Sequence, residues 1–117
     1  MNIHDNLNEQ GLFIEIYKQR KDIEDLIWET NIEYGYEDRL ISEIDGLIYN
    51  TYTGVLSLYE TKGNPSERAL AKARWQLNTH ENVYVPHCFE YKNEISEIHK
   101  YLITKRNKHN IQIIEMR

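Results

Sequence analysis

Two β-rich runs on either side of one short loop constrain this chain more than any other feature. Leu40-Ile41-Ser42-Glu43-Ile44-Asp45-Gly46-Leu47-Ile48-Tyr49 is extended in character, and Val55-Leu56-Ser57-Leu58-Tyr59-Glu60-Thr61-Lys62 is β-rich again. Between them, Asn50-Thr51-Tyr52-Thr53-Gly54 is turn chemistry. The pattern predicts an antiparallel hairpin that ends at Gly63. Asn64-Pro65-Ser66-Glu67 then reads as a helix start. Asn64 is the expected cap, Pro65 suits the first helical position, and Glu67 stands three residues after the cap. This helix is expected to run to about Thr79 with Leu70, Ala73 and Leu77 facing inward.

The flanking segments are read by the same rules. Glu9 to Thr30 is expected to be an amphipathic helix, with Leu12, Ile16, Ile23 and Leu26/Ile27 near one face. Asn31 to Arg39 is polar and turn-like around Gly35, with Ile32-Glu33-Tyr34 a candidate short strand. Val83-Tyr84-Val85 reads as a strand that continues toward Phe89. Glu94 to Lys105 reads as a second amphipathic helix with Ile95, Ile98, Leu102 and Ile103 inward, and Asn110 to Met116 as a last strand. The expected class is α/β, a mixed sheet covered by helices on both faces.

At 117 residues the chain fits one domain, residues 1–117. It is 40% hydrophobic and 28% charged, which argues against disorder. One cysteine, Cys88, excludes an intramolecular disulfide framework and a cysteine-only zinc site, and it is expected in the core. The five histidines make no close pair at metal-ligand spacing. A formal net charge of -5 means that the surface as a whole is not a basic one for nucleic acid or anionic lipid, although a local basic face is compatible with it. No segment approaches the ~18 consecutive apolar residues of a membrane helix. The first residues lack the basic start and apolar stretch of a signal peptide, so a reducing cytoplasm is the expected setting.

The chemistry-bearing residues lie on the hairpin. Asp45 is on its first arm, and Glu60 and Lys62 end its second, two residues apart and therefore on one face. If Asp45 and Glu60 meet across the hairpin, two carboxylates and an ammonium share a small space. Two close carboxylates repel, and a hard divalent cation relieves that repulsion. Mg²⁺ or Mn²⁺ there would polarise a phosphoryl oxygen and lower the pKa of a bound water, and a neighbouring lysine would orient that water or offset phosphate charge.

Asp45 followed by Glu60-Thr61-Lys62 resembles the PD-(D/E)XK nuclease superfamily, in particular its small Holliday-junction-resolvase-like, restriction-endonuclease-like branch. The resemblance covers roughly Glu9 to Val85 and implies an αβββαβ core, here followed by a C-terminal helix and strand. It implies that Asp45, Glu60 and the main-chain carbonyl of Thr61 bind Mg²⁺ or Mn²⁺ and that Lys62 is the catalytic lysine. It also implies an acid on the first helix, Glu15 or, further off, Glu9, and a glutamine on the helix after the ExK strand, similar in placement to Gln76. Exonuclease-like branches carry tyrosine four residues after that glutamine, where this chain has His80, and no proline precedes Asp45, the residues there being Glu43-Ile44. The implied activity is a metal-dependent DNA endonuclease, structure-specific or a module of a larger complex, with a homodimer or partner protein in keeping.

Plainer readings stand beside this one. Asp45-Gly46 also fits ordinary turn chemistry, Glu60 and Lys62 a solvated strand end, and Glu15 a surface helix carboxylate. Arg68, Lys72, Gln76 and Thr79 form a stripe that suits either a phosphate backbone or plain solvent. ExK recurs as Glu90-Tyr91-Lys92 without a hairpin before it. The alternative function is a nuclease-like fold that no longer cuts and works through protein contacts, for instance as a phage or mobile-element accessory protein.

Overall fold

The sequence folds around a central sheet, described by a computed structural model over residues 25–63, 66–105 and 111–116. Strands β1 (Leu26–Tyr36), β2 (Arg39–Asn50) and β3 (Val55–Lys62) come first. Helix α1 (Glu67–Thr79) runs into a π-helical turn (His80–Tyr84) and a short helix α2 (Val85–Cys88). A 3₁₀ turn (Lys92–Glu94) leads to β4 (Glu97–Lys105) and β5 (Ile111–Glu115). The sheet order is β1-β2-β3-β4-β5. The first three strands are antiparallel, β4 is parallel to β3, and β5 is antiparallel to β4. The parallel step needs a crossover, and α1 with the turns after it supplies one.

The hairpin forms where its loop chemistry directs. Asn50 Oδ1 accepts the backbone N–H groups of Tyr52 and Thr53, both at 2.9 Å, and the Gly54 N–H reaches the Asn50 carbonyl at 2.8 Å. Gly54 takes φ 77°, which a side chain would disfavour. Inward-facing Leu47, Tyr49, Leu56 and Leu58 meet Ala73 and Leu77 of α1 in the main core, joined by Leu102 of β4. On the opposite face Ile48, Tyr59 and Ile103 form a smaller cluster with Leu26, Trp28, Tyr101 and Ile111 against it.

The structure bears out the α/β class with a mixed sheet and corrects several elements. Leu26–Thr30, expected to end a helix, begins strand β1; the rest of that expected helix, with Glu9 and Glu15, lies outside the described residues. The expected short strand at Ile32-Glu33-Tyr34 is the middle of β1. The cap of α1 is Ser66, whose Oγ accepts the Ala69 N–H at 3.2 Å, rather than Asn64. Val83-Tyr84-Val85 is helical, not a strand. The α1 ladder passes into a π turn in which the Val85 N–H reaches the His80 carbonyl. Pro86 follows in the first turn of α2. The expected C-terminal helix, Glu94 to Lys105, is strand β4. It lies between β3 and β5, where Leu102, Ile103 and Thr104 are buried. Cys88 is exposed rather than in the core. No helix among the described residues is long and apolar enough to cross a membrane.

Candidate active site

The site is built where β2 and β3 part. Their ladder runs from Tyr49 opposite Leu56 to Gly46 opposite Tyr59 and ends there. Continued by one residue it would set Asp45 opposite Glu60. At this point the alternation of β2 slips, since Ile44 and Leu47 both enter the main core although they are three residues apart. On β1 the matching irregularity is Asn31, with φ 53°, between the pairs Thr30–Gly46 and Ile32–Ile44. The slip turns Asp45 toward β3. Its Oδ2 accepts the Thr61 backbone N–H at 2.8 Å and the Thr61 Oγ1–H at 3.0 Å. A carboxylate thus takes a backbone donor that the parted ladder no longer serves, which a buried N–H requires.

Glu60 is held differently. It follows Leu56 and Leu58 on the core face of β3 and is 1% exposed. A buried carboxylate needs a donor. That donor comes from the end of α1, where His80, 0% exposed, sets Nε2 against Glu60 Oε1. The other ring nitrogen, Nδ1, meets the Tyr34 hydroxyl of β1 at 2.8 Å. Burial pushes the His80 imidazole down to about 4, against the pull of the Asp45 charge, and burial pushes the Tyr34 hydroxyl up to about 12. At neutral pH both are uncharged. The Tyr34 O–H donates to Nδ1, so the single imidazole proton sits on Nε2 and is donated to Glu60. Gly35 lets β1 bulge beside Tyr34: a Cβ there would meet the Arg39 carbonyl oxygen at 1.9 Å.

Asp45, Glu60, Thr61 and Lys62 are thus gathered at one strand end. Lys62 is half-buried and lies opposite Thr104 of β4. Gln76 lies one helical turn before His80, and its Oε1 is buried without a hydrogen-bond partner among the described residues. Glu15 lies outside the described residues. The second ExK, Glu90-Tyr91-Lys92, falls in the turns after α2 with Glu90 and Lys92 exposed. Sequence reasoning missed the Tyr34–His80–Glu60 chain. The one available signal was the position of His80 four residues after Gln76.

The residues fit a hard cation better than a soft one. The donors are carboxylate, carbonyl and amide oxygens, and the orphaned Gln76 Oε1 is an acceptor in want of a partner. Among the described residues no group of three or more His, Cys, Asp or Glu side chains is placed to hold a metal ion. Mg²⁺ does not need one, since it keeps several waters and takes one or two carboxylates. Comparison of the chain with protein-family models, with curated proteins and with solved structures finds no match.

Proposed function

We propose that this protein is a divalent-metal-dependent nuclease of the PD-(D/E)XK type that hydrolyses phosphodiester bonds, with DNA as substrate. One observation carries the reading. The β2–β3 ladder stops at Gly46 and Tyr59, and just beyond it the Asp45 carboxylate is bonded to Thr61 of the Glu60-Thr61-Lys62 run. The order of three antiparallel strands, a helix and a strand parallel to the third supports the last five elements of an αβββαβ core. In this reading Asp45, Glu60 and the Thr61 carbonyl hold Mg²⁺ or Mn²⁺, with Gln76 beside them and Glu15 completing the acids. When bound, such an ion supplies Lewis acidity to a phosphoryl oxygen and a lowered pKa to its water. Lys62 donates from Nζ to the attacking water or to the phosphate, and Thr61 keeps Asp45 aimed. A homodimer or a partner protein is part of the proposal.

The test is cleavage of single-stranded, duplex, nicked, flapped and four-way-junction DNA and of RNA, with Mg²⁺, Mn²⁺ or EDTA. Metal-dependent cutting that Lys62→Ala and Asp45→Asn both abolish, in folded protein, is the expected result. A folded protein that cuts nothing and takes up no Mn²⁺ by calorimetry would overturn it. That outcome would favour the accessory-protein reading, for which the burial of Glu60 against His80 is the supporting observation.

A further inference from the structure

The outer face of α1 is unlike a helix face made only for solvent. Ala73 and Leu77 are buried against the sheet. On the opposite side, helical spacing aligns Arg68, Lys72, Trp75 and Thr79 in one stripe. Arg68 and Lys72 are exposed and Trp75 is 60% exposed, while the Thr79 hydroxyl is bonded back to the Trp75 carbonyl at 2.8 Å. Arg74 adds a third exposed cation on the flank. Among the described residues none of the three cations has an ion-pair partner. No acid lies three or four residues from Arg68, Lys72 or Arg74, so the helix lacks the pairs that support solvated faces. Arg68 stands in the first turn, where the helix dipole opposes a cation, and the last turn carries no basic residue. Arg68 and Lys72, four residues apart, are also a like-charge pair that does not favour the helix, in a chain of net charge -5.

We propose that the Arg68–Lys72–Trp75 stripe binds an unpaired nucleic-acid strand, its phosphates on the two cations and a base stacked on the indole. Two cations at helical spacing match the negative charge of a phosphate backbone, and an exposed indole offers the face on which unpaired bases stack. A duplex keeps its bases stacked on one another and cannot use that indole. α1 carries the stripe and ends at His80, which contacts Glu60, so the stripe and the candidate site share one helix. Its link to catalysis rests on the nuclease reading: the substrate would then be DNA or RNA with single-stranded character, such as a flap or an overhang.

Binding is measured without cleavage, in EDTA, by tryptophan quenching and by anisotropy of labelled oligothymidine, an RNA oligonucleotide and a blunt duplex. The expected result is quenching by the single strands and weaker binding of the duplex. Trp75→Ala should weaken single-strand binding about 10- to 100-fold, the range of one lost base stack. Arg68→Gln with Lys72→Gln should weaken it too and lower the salt slope by about 1. Trp75→Phe, which keeps an aromatic face, should retain most of the affinity, and circular dichroism should show all variants folded. Unchanged binding by Trp75→Ala overturns the proposal. So does equal binding of polyglutamate lost in the same variants, which would mark an acidic-protein surface. Wild-type cutting with an unchanged KM in Trp75→Ala would sink the stripe and leave the nuclease reading. Single-strand binding through Trp75 in a protein that cuts nothing would do the reverse.

Discussion

Two histidines of this fold sit in hydrogen-bonded triplets, and their surroundings push them in opposite directions. His80 lies between the Tyr34 hydroxyl and the Glu60 carboxylate inside the protein. His99 of β4 lies near the surface between two carboxylates, Nε2 at 3.0 Å from Glu97 and Nδ1 at 3.4 Å from Glu115. One donor and one acceptor require a ring with one proton, and burial pushes His80 down to about 4. Two acceptors suit a ring with two protons, and the hydrogen bonds to Glu97 and then Glu115 raise His99 above its ordinary value. The partners on either side of the ring therefore choose its charge. At the candidate site the choice is a neutral ring that holds Glu60.

The sharpest way to break this comparison is to remove the donor. His80→Leu takes away the hydrogen bond between the neutral ring and buried Glu60, and it should cost about 1–3 kcal/mol in urea unfolding. His80→Gln retains an N–H donor and should recover part of the loss. The double variant Glu60→Leu/His80→Leu should regain most of it, because an apolar pair needs no hydrogen bond. If the double variant were as unstable as His80→Leu alone, packing rather than the buried charge would be what His80 supplies.

Acid should separate the two histidines next. Folded His80 resists protonation until about 4. The unfolded chain takes its proton near 6.5. Between those values the unfolded state binds more protons, so the His80 contribution to stability is complete above pH 6.5 and falls as pH drops toward 4. The span corresponds to about 3 kcal/mol. Asp45 and Glu60 face the same ring, and their own protonation acts in that range as well. The measurement is therefore the difference in unfolding free energy between wild type and His80→Gln across pH 4 to 7, expected to shrink as pH falls.

How far this was legible in the sequence follows from the range of each interaction. The hairpin is local: Asn50, Gly54 and the apolar runs beside them fix it within a short stretch of chain, and β3 begins and ends where its sequence pattern does. The placement of Asp45, Glu60, Thr61 and Lys62 toward the open end of that hairpin was legible for the same reason. His80 and Tyr34 were not, because they are 46 residues apart and meet only through the fold. The strand β4 was misread because Ile95, Ile98, Leu102 and Ile103 satisfy a helical period by coincidence. Its Ile, Tyr and Thr content favours a strand, and its burial on both faces removes the polar side that would have shown the alternation. In the segment from His80 to Cys88 the opposite happened. Val83, Tyr84 and Val85 have strand propensity, yet a helical path through the π turn buries His80, Tyr84 and Val85 together, and that packing prevails. π turns often mark functional sites, and here one begins at the residue that holds Glu60.

Smaller substitutions sharpen the picture of how each carboxylate is held. Tyr34→Phe removes the O–H that fixes the His80 tautomer while leaving the ring, and should cost about 1 kcal/mol. Under the proposed nuclease function its more telling effect should be on Mn²⁺ affinity, since a ring no longer fixed at Nδ1 is free to present the wrong nitrogen to Glu60. Thr61→Val deletes one of the two bonds to Asp45 and keeps the backbone one, so it too should cost about 1 kcal/mol. Equal Mn²⁺ affinity in both variants and wild type, measured by calorimetry, would show that neither holder matters to the ion.

The smallest effect belongs to His99 and has the reverse sign. Its folded pKa is raised, so the unfolded chain releases the proton first as pH increases. The stability it contributes is present below pH 6.5 and is lost as pH climbs through the raised value. The side chain is 33% exposed and its partners are open to solvent, so screening keeps the contribution at the few-tenths level typical of surface pairs. His99→Gln should leave stability at pH 8 unchanged and lower it slightly at pH 5.5, and added salt should erase even that difference. His80→Gln, measured in the same buffers, should keep its pH dependence in salt, because a buried ring is shielded from the ions that screen His99. A salt-insensitive His99 slope would mean that its carboxylates are more enclosed than their exposure indicates, and the contrast between the two triplets would then rest on hydrogen-bond partners alone.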